Sequence, residues 1–97
     1  MVKIIWLTDA DKDLIQIYNY ISKDSIYYAE KTIKEIVYTT ENLLYFPYMG
    51  RKVSEMKNDR IREVSYKSYR IIYEISNNCI YIHRVAHKAR ILYPNFI

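Results

Sequence analysis

Between Arg60 and Ala86 the sequence leaves little choice of local structure. Three runs rich in β-branched and aromatic residues, about Arg60–Tyr66, Tyr69–Ile75 and Cys79–Ala86, are joined by Lys67-Ser68 and by Asn77-Asn78. Such runs read as strands, and links this short connect only antiparallel neighbours. Asparagine tolerates positive φ better than most residues, which a two-residue hairpin turn requires. With Asn77-Asn78 as its central pair, Ser76 faces Cys79, Tyr73 faces Ile82, Ile72 faces His83 and Arg70 faces Val85. Strand alternation then puts Arg70, Ile72, Glu74, Tyr81, His83 and Val85 on one side of the sheet. Tyr69, Ile71, Tyr73, Ile75 and Ile82 share the other, more apolar side. A three-residue turn would slide the pairing by one and set Arg70 opposite Arg84; the two-residue turn is the preferred register.

Upstream, the apolar period changes. Residues 2–7 read as a first strand, and Thr8 is placed as the cap of a helix whose first turns carry Asp9, Asp11 and Asp13. Ala10, Leu14, Ile17, Tyr18 and Ile21 make one stripe on this helix, which runs to about Lys23. Ser25 caps a second helix. Its apolar face holds Ile26, Ala29, Ile33, Ile36, Val37, Thr40 and Leu44, and Glu30, Lys31, Lys34, Glu35 and Glu41 hold the other. Phe46-Pro47 ends it, because a residue before proline is pushed out of the helical region. Gly50 is expected to take a backbone conformation that other residues resist, and the polar stretch to Asp59 reads as a loop. The expected fold is α+β, in the order β-α-α-β-β-β. An N-terminal helical hairpin packs on one face of a mainly antiparallel four-stranded sheet, whose other face is open and basic. Residues 1–97 make one domain.

Composition removes several kinds of chemistry. With Cys79 as its one cysteine, the chain has no disulfide framework and no multi-cysteine zinc site, which suits a reducing cytoplasm. Cys79 itself starts a strand with no base beside it in sequence, and reads as a structural thiol. One glycine rules out a P-loop and the other glycine-rich nucleotide motifs. Apolar runs such as Ile4-Ile5-Trp6-Leu7 are too short to span a bilayer, and Met1-Val2-Lys3 lacks the apolar stretch of a signal peptide. His83 and His87 have no acid placed to complete a metal site. No cofactor is expected.

Charge is divided unevenly. Residues 1–50 hold five lysines against seven acids (net −2), and residues 51–97 hold ten Lys+Arg against four acids (net +6). Arg60, Arg62, Tyr66, Lys67, Arg70, Arg84, His87, Lys88, Arg90 and Tyr93 make an arginine- and tyrosine-rich surface, suited to phosphate and stacked bases. Metal-free RNA cleavage would need a base, an acid and cations at one phosphate. His87 is the natural acid/base, Arg70 and Arg90 the phosphate partners, and Tyr93 or Tyr69 the stacking ring. Against this stand plainer roles. Arg62 beside Glu63, and Arg70 four residues before Glu74, can be ion-paired. Tyr69 and Tyr73 can be core, and His87 an ordinary surface residue.

Taken in order, several segments resemble the RelE/ParE superfamily of toxins from type II toxin–antitoxin systems. They are Ile4-Ile5-Trp6, Ala10, Leu14, residues 17–21, Ala29 and Leu43-Leu44-Tyr45-Phe46-Pro47-Tyr48-Met49-Gly50-Arg51. Ile61-Arg62-Glu63, Tyr69-Arg70-Ile71-Ile72-Tyr73, Ile80-Tyr81-Ile82 and Val85-Ala86-His87-Lys88-Ala89-Arg90 continue the series. The resemblance implies a toxin held inactive by a cognate antitoxin that wraps its surface. It implies one of two actions: poisoning of DNA gyrase (ParE-like), or metal-independent cleavage of mRNA on the ribosome (RelE-like). For a nuclease it implies Arg70 at the scissile phosphate, with Arg90, His87 and Tyr93 in the C-terminal segment. The two strand lysines of the best-known nuclease branch are Ile61 and Glu63 here. Some nuclease branches use a glutamate and a histidine, so Glu63 and His87 would have to stand near Arg70. Arg60, Arg62, Lys67, Arg84 and Lys88 are the remaining candidates for phosphate or partner contact. The ParE-like branch fits better, and a non-toxic RNA-binding module is a third reading.

Overall fold

A computed structural model describes residues 2–90. Strand β1 (Lys3–Trp6) leads into helix α1 (Thr8–Ser22) and helix α2 (Ile26–Glu41), which ends in a 3-10 turn, Asn42–Leu44. Strands β2 (Arg51–Lys52), β3 (Ile61–Tyr66), β4 (Tyr69–Ser76) and β5 (Cys79–His87) follow. The sheet has five strands in the order β1-β5-β4-β3-β2. Four of the five were expected; β2 adds a two-residue edge strand, Arg51 opposite Glu63 and Lys52 opposite Arg62, in a segment read as loop. The sheet is antiparallel except where β1 runs parallel to β5, with Ile4 beside Ile80 and Trp6 beside Ile82.

Ser25 caps α2 as expected, its hydroxyl accepting from the Tyr28 N–H at 3.1 Å. Thr8 does not cap α1. Leu7 occupies the cap in extended backbone with no side-chain bond, because its N–H still belongs to the sheet, donating to the Ile82 carbonyl at 3.1 Å. Leu43, not Leu44, enters the core: the 3-10 turn winds three residues per turn and advances the buried face from Thr40 to Leu43.

Asn77 and Asn78 both take positive φ, 50° and 62°, so the turn and its first pairs form as expected. Beyond Tyr73–Ile82 the register shifts, and Ile72 faces Arg84, Ile71 faces Val85, Arg70 faces Ala86 and Tyr69 faces His87. The expected pairs Ile72–His83 and Arg70–Val85 do not form. His83 is an extra residue, and such a bulge reverses which way every later side chain points. Val85 therefore joins the helix-side core with Ala10, Ile36, Leu43, Ile71, Tyr73, Ile80 and Ile82.

The opposite face is not open throughout. Ile61, Ile72 and Ala86 lie beneath Val53, with Met56 packed against them, in a second small core. Gly50 has no positive φ. Its role is close approach: a Cβ there would lie 2.5 Å from the Tyr73 hydroxyl and 2.6 Å from the Glu63 carbonyl. No helix among the described residues is long and apolar enough to cross a membrane.

Candidate functional site

Arg70 sits on the sheet face away from the helices and is 7% exposed. Its Nε donates to Glu63, also buried, and its Nη1 and Nη2 donate to the two carboxylate oxygens of Glu55 at 2.9 Å each. Glu63 also accepts from the Nε of Arg51 at 2.8 Å. Local folding explains the arrangement. Val53 and Met56 pack onto the sheet, the Met56 N–H donating to the Val53 carbonyl at 3.1 Å, and this short turn sets Glu55 over the guanidinium. Hydrogen bonds from Arg70 hold the Glu55 carboxyl down at about 2, against the opposing pull of burial. The same bonds, those from Glu55 first, raise the Arg70 guanidinium above its ordinary range. Charge is tolerable here because each buried group meets an opposite one in direct, partly bidentate contact. A phosphate could reach Arg70 only by displacing Glu55.

His87 lies on the other side of the sheet. It pairs with Tyr69, whose ring stands edge-on to it at 5.8 Å, and it lines a cleft of about 640 Å³ with Gln16, Ile17, Tyr20 and Arg90. The Ala89 N–H donates to its Nδ1 at 3.1 Å, so the neutral ring carries its proton on Nε2. Lys67 also lines this cleft and lies over the Tyr66 ring at 5.4 Å. The Tyr66 hydroxyl donates to Glu35 at 2.8 Å; burial, then that carboxylate, push its ionisation up. The structure thus brings Glu63 to Arg70 on one face, and His87 to Arg90 and Lys67 on the other. Tyr93 lies outside the described residues.

Other expected contacts are differently placed. Arg84 is turned inward onto buried Asp13, its Nε and Nη2 donating at 2.8 and 3.0 Å, and Asp13 raises its pKa. Asp13 also accepts from the Val85 N–H at 2.9 Å, taking the bond that β1 would have made had it continued past Leu7. Arg62 donates from Nη1 to the Gly50 carbonyl at 3.0 Å and lies 5.1 Å from the centre of the Tyr48 ring, while its buried Nε meets no acceptor among the described residues. It does not pair with Glu63. Glu74 pairs with His83 at 2.8 Å rather than with Arg70. Lys88 lines a groove at the β2–β3 edge with Arg51 and Ser65, and Arg60 lines one beside Tyr48. No group of three or more metal-ligating side chains occurs among the described residues. Sequence reasoning missed Glu55, Asp13 and Arg51. The one available signal was that Glu55 falls between Val53 and Met56, the apolar residues of an otherwise polar stretch.

Residues 4–92 match the family model of the ParE toxin of the type II toxin–antitoxin system parDE. No curated protein matches in sequence. Among solved structures, one described as the chromosomal ParDE toxin–antitoxin system from P. aeruginosa is similar with a TM-score of 0.75. The match covers 90% of this chain and 96% of that one at 20% identity, a likeness of fold.

Proposed function

This chain belongs to the ParE toxin family of type II toxin–antitoxin systems, and on that premise we propose that it arrests growth by binding its target rather than by cutting RNA. By family resemblance the target is DNA gyrase, the site of action is the cytoplasm, and a cognate antitoxin neutralises the toxin. The reading concerns one domain over residues 1–97, with no cofactor.

One observation carries the choice between binding and cleavage. The arginine that would hold the scissile phosphate is buried, and carboxylates engage its Nε and both Nη groups. Metal-free cleavage needs acid, base and cation around one phosphorus atom. Here Glu63 and Arg70 face one side of the sheet, while His87 faces the other across β4 and β5. An ion network of this kind holds a turn in place and contributes to stability, which is what a binding protein requires of it. Of the cations expected to meet a partner, Arg84 is consumed by Asp13, which leaves Arg60, Arg62, Lys67 and Lys88.

The test is induction without antitoxin. The expected result is growth arrest with gyrase-linked DNA breaks and no new 5′ ends on translated mRNA, unchanged in His87→Ala. New 5′ ends that disappear in His87→Ala would establish the RelE-like endonuclease instead. Normal growth at verified soluble expression would remove the toxin activity altogether.

A further inference from the structure

Just after α2 the chain displays apolar side chains outward. Tyr45, Phe46, Tyr48 and Met49 are between 53% and 77% exposed, and Leu44 beside them is 38% exposed. Large rings left in water contribute nothing to folding, and a contiguous patch of them marks a contact surface. This one is held in place from within. The Tyr45 and Phe46 N–H groups donate to the Asn42 carbonyl, and the Met49 N–H to that of Phe46, at 3.0–3.1 Å. Leu43 anchors the segment in the core. From below, the fully buried Tyr73 donates its hydroxyl to the Pro47 carbonyl at 2.8 Å and accepts from the Gly50 N–H at 3.0 Å. The ridge is therefore pre-organised, and little conformational freedom remains to be lost when a partner covers it.

Charge selects the occupant. Residues 42–53 contain Arg51 and Lys52 and no carboxylate. The start of β3 adds Arg62, lying beneath Tyr48, and Arg60, which shares with Tyr48 a groove of about 340 Å³. On the β2–β3 side the acids are already engaged, Asp59 by Lys52 at 3.1 Å and Glu63 by Arg51 and Arg70, and Glu41 at the end of α2 is the one exposed acid just before the ridge. Neither Arg60 nor Arg62 pairs with a carboxylate among the described residues. A second copy of this chain would bring the same cations against themselves, on a protein of net charge +4. Tyrosine, phenylalanine, methionine and arginine are the residues over-represented at interface cores.

We infer that the ridge Leu44–Met49 seats an acidic polypeptide segment of the antitoxin, with apolar side chains between its rings and carboxylates over Arg60 and Arg62. This rests on the toxin–antitoxin reading above and adds the surface and the partner's chemistry. The ridge is separate from the Arg70 network and from the His87 cleft.

The experiment pairs the toxin with the co-expressed antitoxin from the neighbouring reading frame. Tyr45→Ser/Phe46→Ser alters only exposed side chains and should fold, as circular dichroism will verify. Expressed alone it should still arrest growth. Co-expression should no longer rescue it, and the dissociation constant of the purified complex should rise roughly 30-fold or more, the loss typical of a central aromatic anchor. Arg60→Glu should weaken the complex at low salt and much less at high salt. In the wild-type complex the amides of Tyr45, Phe46, Tyr48 and Met49 should gain hydrogen-exchange protection. If the double variant is rescued as well as wild type, and the Tyr45, Phe46, Tyr48 and Met49 amides gain no protection, the inference falls while the toxin–antitoxin reading stands. A folded double variant that loses toxicity would assign the ridge to the target and overturn the inference. A wild-type toxin that this antitoxin does not neutralise would overturn both.

Discussion

Glu55→Gln isolates what the lid over Arg70 contributes. In the folded protein the Glu55 carboxyl titrates at about 2 instead of 4.5. A carboxylate whose folded pKa is depressed stabilises the protein above its unfolded pKa. That contribution is lost as pH falls from about 4.5 toward about 2. At 1.36 kcal/mol per pH unit, the full contribution near neutrality is about 3 kcal/mol. The side chain is only 22% exposed, so water screens the pair weakly and the figure is not that of a surface ion pair. It is a large share of the roughly 5–15 kcal/mol that holds a domain of this size together. The assay is urea unfolding of wild type and Glu55→Gln at pH 6 and pH 2.5. At pH 6 the variant should be less stable by about 3 kcal/mol, a midpoint about 2–3 M lower at a slope near 1 kcal/mol/M. By pH 2.5 the two curves should nearly meet, because wild type has lost most of the same term. The other carboxylates titrate alike in both proteins and cancel in the comparison. If the gap is the same at both pH values, the carboxylate charge is not what holds the lid, and the reasoning fails.

Gly50→Ala should destabilise by about 2–3 kcal/mol, read as a fall in thermal midpoint, since the new methyl would meet the Glu63 carbonyl and the buried Tyr73 side chain. Asp13→Asn should cost about 3 kcal/mol in urea unfolding, because half-buried Arg84 loses the carboxylate that buried Asp13 gives it; hydrogen exchange at the Val85 amide should accelerate with it. Tyr73→Phe should cost about 1–3 kcal/mol in the same assay, leaving the Pro47 carbonyl and Gly50 N–H without their shared partner.

The helical hairpin and the meander were legible because they rest on local chemistry: Ser25 as a cap, Asn77-Asn78 as a turn, and two different apolar periods. Alternation also identified the helix-facing side of β4 correctly. It failed past His83 because a bulge leaves no mark in the residue pattern, yet turns Val85 and His87 to the opposite side from the one parity gives. That one extra residue is also why the candidate site was not legible. Arg70 and His87 are expected on one surface, and the sheet lies between them. The lid was hidden for another reason. Val53 and Met56 are too few to register as an element, but enough to cover a strip three side chains long. Charge counting placed Arg70 and Arg84 on a free basic surface, whereas Glu55 lies 15 residues from Arg70 and Asp13 lies 71 from Arg84. Separations of that kind carry no sequence signal.

Among the described residues, the first strand of this toxin finds its ladder partner only in the last. Ile4 lies beside Ile80, and joining such distant points costs about 4 kcal/mol of chain entropy before any bond repays it. During synthesis the N-terminal strand leaves the ribosome long before β5 exists, at roughly 5–20 residues per second. The helices can coil meanwhile, but the sheet cannot close, and Val85 cannot reach Asp13. The closed sheet therefore arises in one late step, as β5 is delivered. Until β5 arrives, neither the cleft beside His87 nor the Asp13–Arg84 contact can exist.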